Sequence, residues 1–255
     1  MVSGPVWEEN RQQAEYLLQQ AVAQGAQWVL LPENFAFMGL QDADKLALAE
    51  EEGQGPIQTW LTEQAKGLGI WLLGGSIPLR APHGRCTASL LGLDPTGRIR
   101  ARYDKIHLFD VSLADGESYC ESKTIAPGLN PVTLDSPWGQ WGLSICYDLR
   151  FPELYRSYAG ANFLAVPSAF TRQTGQAHWE VLLRARAIEN QSFVLAANQG
   201  GRHANGRETW GHSMIIDPWG QVLARWETGP GLALANCSLT QLQQVRTAIP
   251  ALQHR

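Results

Sequence analysis

The chain has 255 residues, 44% of them hydrophobic and 17% charged, enough apolar content to bury a large core and none of the polar bias of a disordered chain. Its 20 basic and 24 acidic residues leave a formal charge of -4 with no basic block, which excludes the electrostatic footprint of a nucleic-acid or anionic-membrane binder. No apolar run approaches the roughly 18 residues of a membrane span, and the start MVSGPVWEENR lacks a secretory core, so the sequence predicts a cytoplasmic protein with a small-molecule partner.

From Glu8 to Gln24 apolar residues recur at helical spacing, and Gly25 is the expected stop. WVLLPE, Trp28 to Glu33, reads as a strand buried on both faces, ended by Pro32, with Glu33 at its carboxyl end. A helix from Pro56 to Lys66 precedes the apolar run Ile70 to Ser76, and the strands CTASLLGLD and RIRARYD follow, joined by a turn at Pro95, Thr96 and Gly97. Lys105 lies just past the second. The stretch from His107 to Pro137 is polar and turn-rich, a long loop over one face.

Strands and helices then alternate: WGLSIC, a helix opened by Pro152, NFLAVPS, a helix from Gln176 to Gln191, and FVLAANQ. HSMIID and QVLARWE flank Pro218, Trp219 and Gly220 as a hairpin, and GLALANC supplies a last strand. The order predicts an α/β fold in a single domain over residues 1–255.

Cys86, Cys120, Cys146 and Cys237 are far apart, with no C-x-x-C pair, so free thiols are expected. Cys146 differs from the rest because Pro152 opens a helix shortly after it and biases Phe151 away from helical geometry, placing the thiol at a strand-to-helix turn. The positive end of that helix is expected to lower the thiol pKa, and the Tyr147 N–H is available to an oxyanion. A Cys at the end of an apolar strand is otherwise a small core residue. His107, His178, His203 and His212 are weak candidates for its base.

LLPENF around Glu33, YDKIHLFD around Lys105 and LSICYDLRFPE around Cys146 resemble, in order, the three signatures of the nitrilase, or carbon-nitrogen hydrolase, superfamily. CESKTIAPG, HWEVLLRARAIENQ, GHSMIIDPWG and GPGLALA carry the resemblance along the chain, toward the deaminated glutathione amidase branch rather than the ω-amidases. The resemblance implies a four-layer αββα sandwich, a site between the sheets, a homodimer or larger homo-oligomer, and no cofactor or metal. It also implies Glu33 as general base, Lys105 as oxyanion partner beside the Tyr147 N–H, and Cys146 as nucleophile through a thioester.

Glu121 matches a second family glutamate that positions substrate or water. Phe170 and Thr174 match positions near the substrate, although a core aromatic and a helix cap are simpler readings. Arg150 either binds a substrate carboxylate or pairs with Asp148 or Glu153. Only MVSGPVW precedes the first helix, where family members carry a strand, so an inner strand is expected to be missing.

The implied reaction is hydrolysis of deaminated glutathione to 2-oxoglutarate and cysteinylglycine. The alternatives are an ω-amidase or other small-amide hydrolase and, in another class, a non-catalytic binding or scaffold protein of the same fold.

Overall fold

A computed structural model describes residues 1–112 and 118–254. Two sheets face each other. In the first, Trp28–Leu30 lies parallel to Trp71–Leu73, which pairs antiparallel with Arg85–Leu93; that long strand also carries Ile77–Ala81 and Ile99–Asp104 as antiparallel partners. The second runs Val222–Trp226, Ser213–Ile216, Phe193–Ala196, Phe163–Ala165, Gly139–Leu143, Thr133–Ser136, with the Phe163 strand parallel to both neighbours and the two ends antiparallel.

Helices Trp7–Ala23 and Pro56–Leu68 cover the outer face of the first sheet, packing Leu18 and Leu61 with Leu72 and Leu91. Pro152–Ser157 and Arg172–Asn190 cover the second, where Trp179 and Leu183 join Leu164 and Val194. The layers therefore run αββα, as the resemblance implies. Alternation along each strand serves both apolar layers at once: Trp28 and Leu30 turn toward the space between the sheets and Val29 toward the helices. Rings cross the inner layer in one stack, Trp71 to Trp28 at 4.8 Å, Trp28 to Trp141 at 4.4 Å, Trp141 to Phe163 at 4.5 Å and Phe163 to Phe193 at 5.7 Å.

Thr133–Ser136, inside the stretch expected to be loop, is an edge strand of the second sheet, and two of the expected strands differ. Trp28–Leu30 is shorter than WVLLPE and only half-buried, because it forms an edge of its sheet. GLALANC forms no strand; Leu232 and Cys237 pack on opposite layers in extended fashion, yet no ladder partner lies beside them. A groove of about 520 Å³ separates this segment from the Trp28 edge, lined by Leu17, Val29, Met214 and Leu234. A strand is defined by its neighbour, and across that gap neither backbone has one.

The loop from His107 to Pro137 has local structure: Asp110–Ser112 pairs antiparallel with Ser118–Cys120, and a single 3₁₀ turn, Glu121–Lys123, follows. Its residues 113–117 lie outside those described. Among the described residues no helix is long and apolar enough to cross a membrane.

Candidate active site

Each sheet delivers chemistry at the carboxyl ends of its strands, where α/β folds gather their ligand contacts. Glu33 follows Trp28–Leu30, Lys105 follows Ile99–Asp104, Cys146 follows Gly139–Leu143, and Phe170 follows Phe163–Ala165. Close backbone approaches set the first two. A side chain at Gly75, φ 60°, would meet the Pro32 carbonyl oxygen at 2.1 Å, and one at Gly128 would meet the Asp104 carbonyl oxygen at the same distance. Gly128 N also donates to the Lys105 carbonyl at 2.8 Å.

Glu33, Lys105 and Cys146 meet. Lys105 Nζ donates to Glu33 Oε1 at 2.8 Å and to both oxygens of Glu121 at 2.9 and 3.0 Å. The Glu33 carboxylate and the Ala169 N–H both lie close enough to the Cys146 sulfur to act on its titration. Glu121 also accepts the Phe109 N–H at 2.7 Å, which fixes the second carboxylate from behind. Lys105, 1% exposed, and Glu33, 4%, form a buried ion pair in which Glu121 supplies a second carboxylate to the ammonium.

Cys146 has φ 51°, a left-handed conformation that a side-chain-bearing residue adopts only when its surroundings enforce it. The enforcement comes from Asp148, fully buried, on the 3₁₀ turn Cys146–Arg150. One of its oxygens accepts Tyr103 Oη at 2.7 Å and Ile145 N at 2.8 Å; the other accepts His107 N at 3.0 Å and Nδ1 at 2.7 Å. Tyr103 and His107 flank Lys105, and Ile145 precedes Cys146, so one carboxylate ties the ammonium's segment to the thiol's turn.

The expected fall in the thiol pKa is reversed. Burial pushes the Cys146 thiol up and the adjacent Glu33 carboxylate pushes it further, while Lys105 opposes both without prevailing. The expected cation, the end of the next helix, is distant and weak: Pro152–Ser157 begins six residues on and lasts six. Burial raises the Glu33 carboxyl too, but the Lys105 ammonium outweighs it and holds Glu33 below its usual range. For Lys105, burial works against the charge, and Glu121 and Glu33 overcome it, lifting the ammonium well above its ordinary value. The resting site is therefore a neutral thiol beside an ionised carboxylate.

One consequence concerns acid stability. A carboxyl with a depressed folded pKa contributes stability that is present above its unfolded value, 4.5, and is lost as pH falls through the folded one. The melting temperature of the wild-type chain is expected to drop on acidification below about pH 4.5, and Glu33→Gln to flatten that limb; parallel limbs in calorimetry would remove the ion pair from the explanation.

Arg150 pairs with neither Asp148 nor Glu153. It lies 3.2 Å from His178 Nδ1 and stands over the rings of Tyr147 at 5.7 Å and Phe170 at 5.4 Å, facing the pocket. Phe170 is both pocket wall and core aromatic, packed on Trp179 at 4.8 Å. Thr174 lines the pocket too, held by Thr171, whose Oγ1 accepts the Thr174 N–H and caps helix Arg172–Asn190. The cap is therefore Thr171.

The four histidines lie elsewhere: His107 on Asp148, His178 on Arg150, His203 between the Ser3 carbonyl and Thr209, and His212 stacked on Trp210. All four cysteines are free. Lys45, Phe109, Tyr119 and Arg207 also line the pocket, and sequence reasoning missed them because they come from loops or from elements of three or four residues, too short for a periodic pattern.

Residues 5–247 match the carbon-nitrogen hydrolase family. The chain is 47% identical over 268 aligned positions to a deaminated glutathione amidase of Synechocystis sp., covering all of this chain and 95% of that one. A Homo sapiens protein of the same name is 42% identical, with 100% and 80% covered. Among solved structures, the C. elegans NitFhit protein superposes with a TM-score of 0.92 at 38% identity, over all of this chain and 63% of that longer one.

Proposed function

The chain belongs to the carbon-nitrogen hydrolase family, and from that premise we propose that it hydrolyses the side-chain-derived amide of deaminated glutathione through a thioester on Cys146, releasing 2-oxoglutarate and cysteinylglycine. The observation that carries the mechanism is the contact set of Lys105, which joins Glu33 and Glu121 beside the thiol in a buried pocket.

A neutral thiol needs a base, and Glu33 is the group that accepts its hydrogen. As sulfur attacks the amide carbonyl, the S–H proton passes to Glu33 and a C–S bond forms. The oxygen gains charge facing the Lys105 ammonium and the Tyr147 N–H, donors worth about 3 to 4 kcal/mol each in such sites. Collapse breaks the C–N bond; Glu33 returns the proton to the departing amine, and cysteinylglycine leaves. Water, giving a proton to Glu33, then attacks the thioester, the C–S bond breaks, and the proton returns to sulfur as 2-oxoglutarate leaves.

Glu121 does not compete for the thiol. Both its oxygens hold Lys105, fixing the ammonium where the oxyanion develops. Arg150, on the nucleophile's own turn, takes the carboxylate of the 2-oxo-acid end, with Phe170 and Thr174 as walls.

The test is direct. Purified protein incubated with deaminated glutathione should release 2-oxoglutarate, and acid quenching should trap the acyl mass on the peptide containing Cys146. Cys146→Ala should lose both signals; turnover persisting in that variant would refute the nucleophile assignment.

A further inference from the structure

Arg150 takes one charged end of the substrate and leaves the other without a partner. Deaminated glutathione carries a carboxylate on the acyl side of the scissile amide and a second at the glycine end of the leaving dipeptide. We propose that Arg207 binds this second carboxylate and so determines specificity for the leaving group; the proposal rests on the substrate reading above.

The pocket mouth is a closed ring of contacts. Phe109 lies 5.1 Å from Tyr119 and 5.1 Å from Tyr147. Arg150 stands over Tyr147 and Phe170. Next to Phe170, the Ala169 carbonyl accepts Arg207 Nη2 at 2.7 Å, and the Arg207 guanidinium stands 5.2 Å from the Tyr119 ring, closing the circuit. The ring holds two guanidiniums, each backed by an aromatic face that limits its freedom. Neither has a carboxylate partner among the described residues, whereas the pocket's Glu33 and Glu121 are both committed to Lys105. Two guanidiniums without a carboxylate partner among the described residues, with the Lys45 ammonium elsewhere on the pocket wall, complement a substrate with two separated anions.

Their supports divide the labour. Arg150 belongs to the turn of Cys146, the element that keeps the acyl group after the amine has gone. Arg207 belongs to the hairpin of Gly200–Arg202 and Glu208–Trp210, beside the exposed tip Ala204, Asn205 and Gly206, and not to the nucleophile's turn. It is still close to the chemistry, because the Ala169 residue that anchors it by its carbonyl reaches the Cys146 sulfur by its N–H. A planar fork in that position can grip a carboxylate with two donors; an ammonium cannot do so.

The experiment compares deaminated glutathione with its C-terminal amide, which removes the leaving-side charge alone. In the wild type the amide is expected to lower kcat/KM by about 10- to 100-fold, mostly through KM, as loss of a charged hydrogen bond does. In Arg207→Met the two compounds should differ by less than about threefold, and Arg207→Lys should recover part of the preference. An undiminished carboxylate preference in Arg207→Met overturns the assignment. So does a loss of 2-oxoglutaramate turnover equal to the loss on deaminated glutathione, because 2-oxoglutaramate has no leaving-side carboxylate. A wild type inert on deaminated glutathione but active on 2-oxoglutaramate refutes the substrate reading instead.

Discussion

Lys105→Met is expected to lower kcat by at least about a thousandfold and to reduce the melting temperature by about 10 °C. The first effect joins two losses. Removing an oxyanion donor alone costs about 10²- to 10³-fold, and without the ammonium Glu33 no longer has the cation that holds its carboxyl below the usual range, so burial favours the protonated form that cannot act as base. The second effect is electrostatic. Glu33 and Glu121 are held by the same nitrogen at 2.8 and 2.9 Å, and with that charge gone the two carboxyls must either repel each other or take up a proton. Breaking a buried pair from one side costs about 3 to 5 kcal/mol, and each kcal/mol moves the midpoint of a chain this size by about 2 to 4 °C. The double variant Lys105→Met with Glu33→Gln should melt higher than Lys105→Met alone, because it removes the carboxyl that must otherwise repel Glu121 or be protonated. Additive losses in calorimetry, or a kcat within tenfold of wild type, would defeat the account.

Much of this site could be read from the chain because its three central residues follow strand-like runs, apolar before Glu33 and Cys146 and alternating before Lys105. WVLLPE, RIRARYD and WGLSIC each announce a strand, and a polar residue just past a strand lies at the crevice rather than in the core. What could not be read depends on three-dimensional neighbours. The thiol pKa moves up rather than down because the fold buries the sulfur and sets Glu33, more than a hundred residues earlier in sequence, beside it, facts no local helix argument contains. GLALANC has a strand's composition yet no strand beside it, and composition cannot report an empty groove. Asp148 and Arg207 look like ordinary charges near turns; the first is fully buried with four donors and the second closes an aromatic ring, and neither signal is periodic.

Asp148→Asn is expected to lower kcat by about a hundredfold at 25 °C, with KM little changed, and to lower the melting temperature by about 6 to 12 °C. The substitution keeps the shape but only one acceptor oxygen. Asp148 presents one oxygen to Tyr103 Oη and Ile145 N and the other to His107 N and Nδ1, so an amide must turn its NH₂ toward one of those pairs. A buried donor facing a donor costs about 3 kcal/mol, which sets the thermal shift. The kinetic loss has a separate origin, because Asp148 is a positioning residue that touches neither substrate nor sulfur. It holds the left-handed turn at Cys146 and ties it to the residues flanking Lys105, and a shift of about 1 Å between nucleophile and oxyanion partner can cost a hundredfold. Tyr103→Phe removes one donor and should cost about 1 kcal/mol with kcat within a few-fold. The two roles separate by temperature. If Asp148→Asn melts early yet turns over normally well below its midpoint, the carboxylate serves stability alone; a kcat defect that persists at low temperature in fully folded protein shows that it sets the geometry of attack.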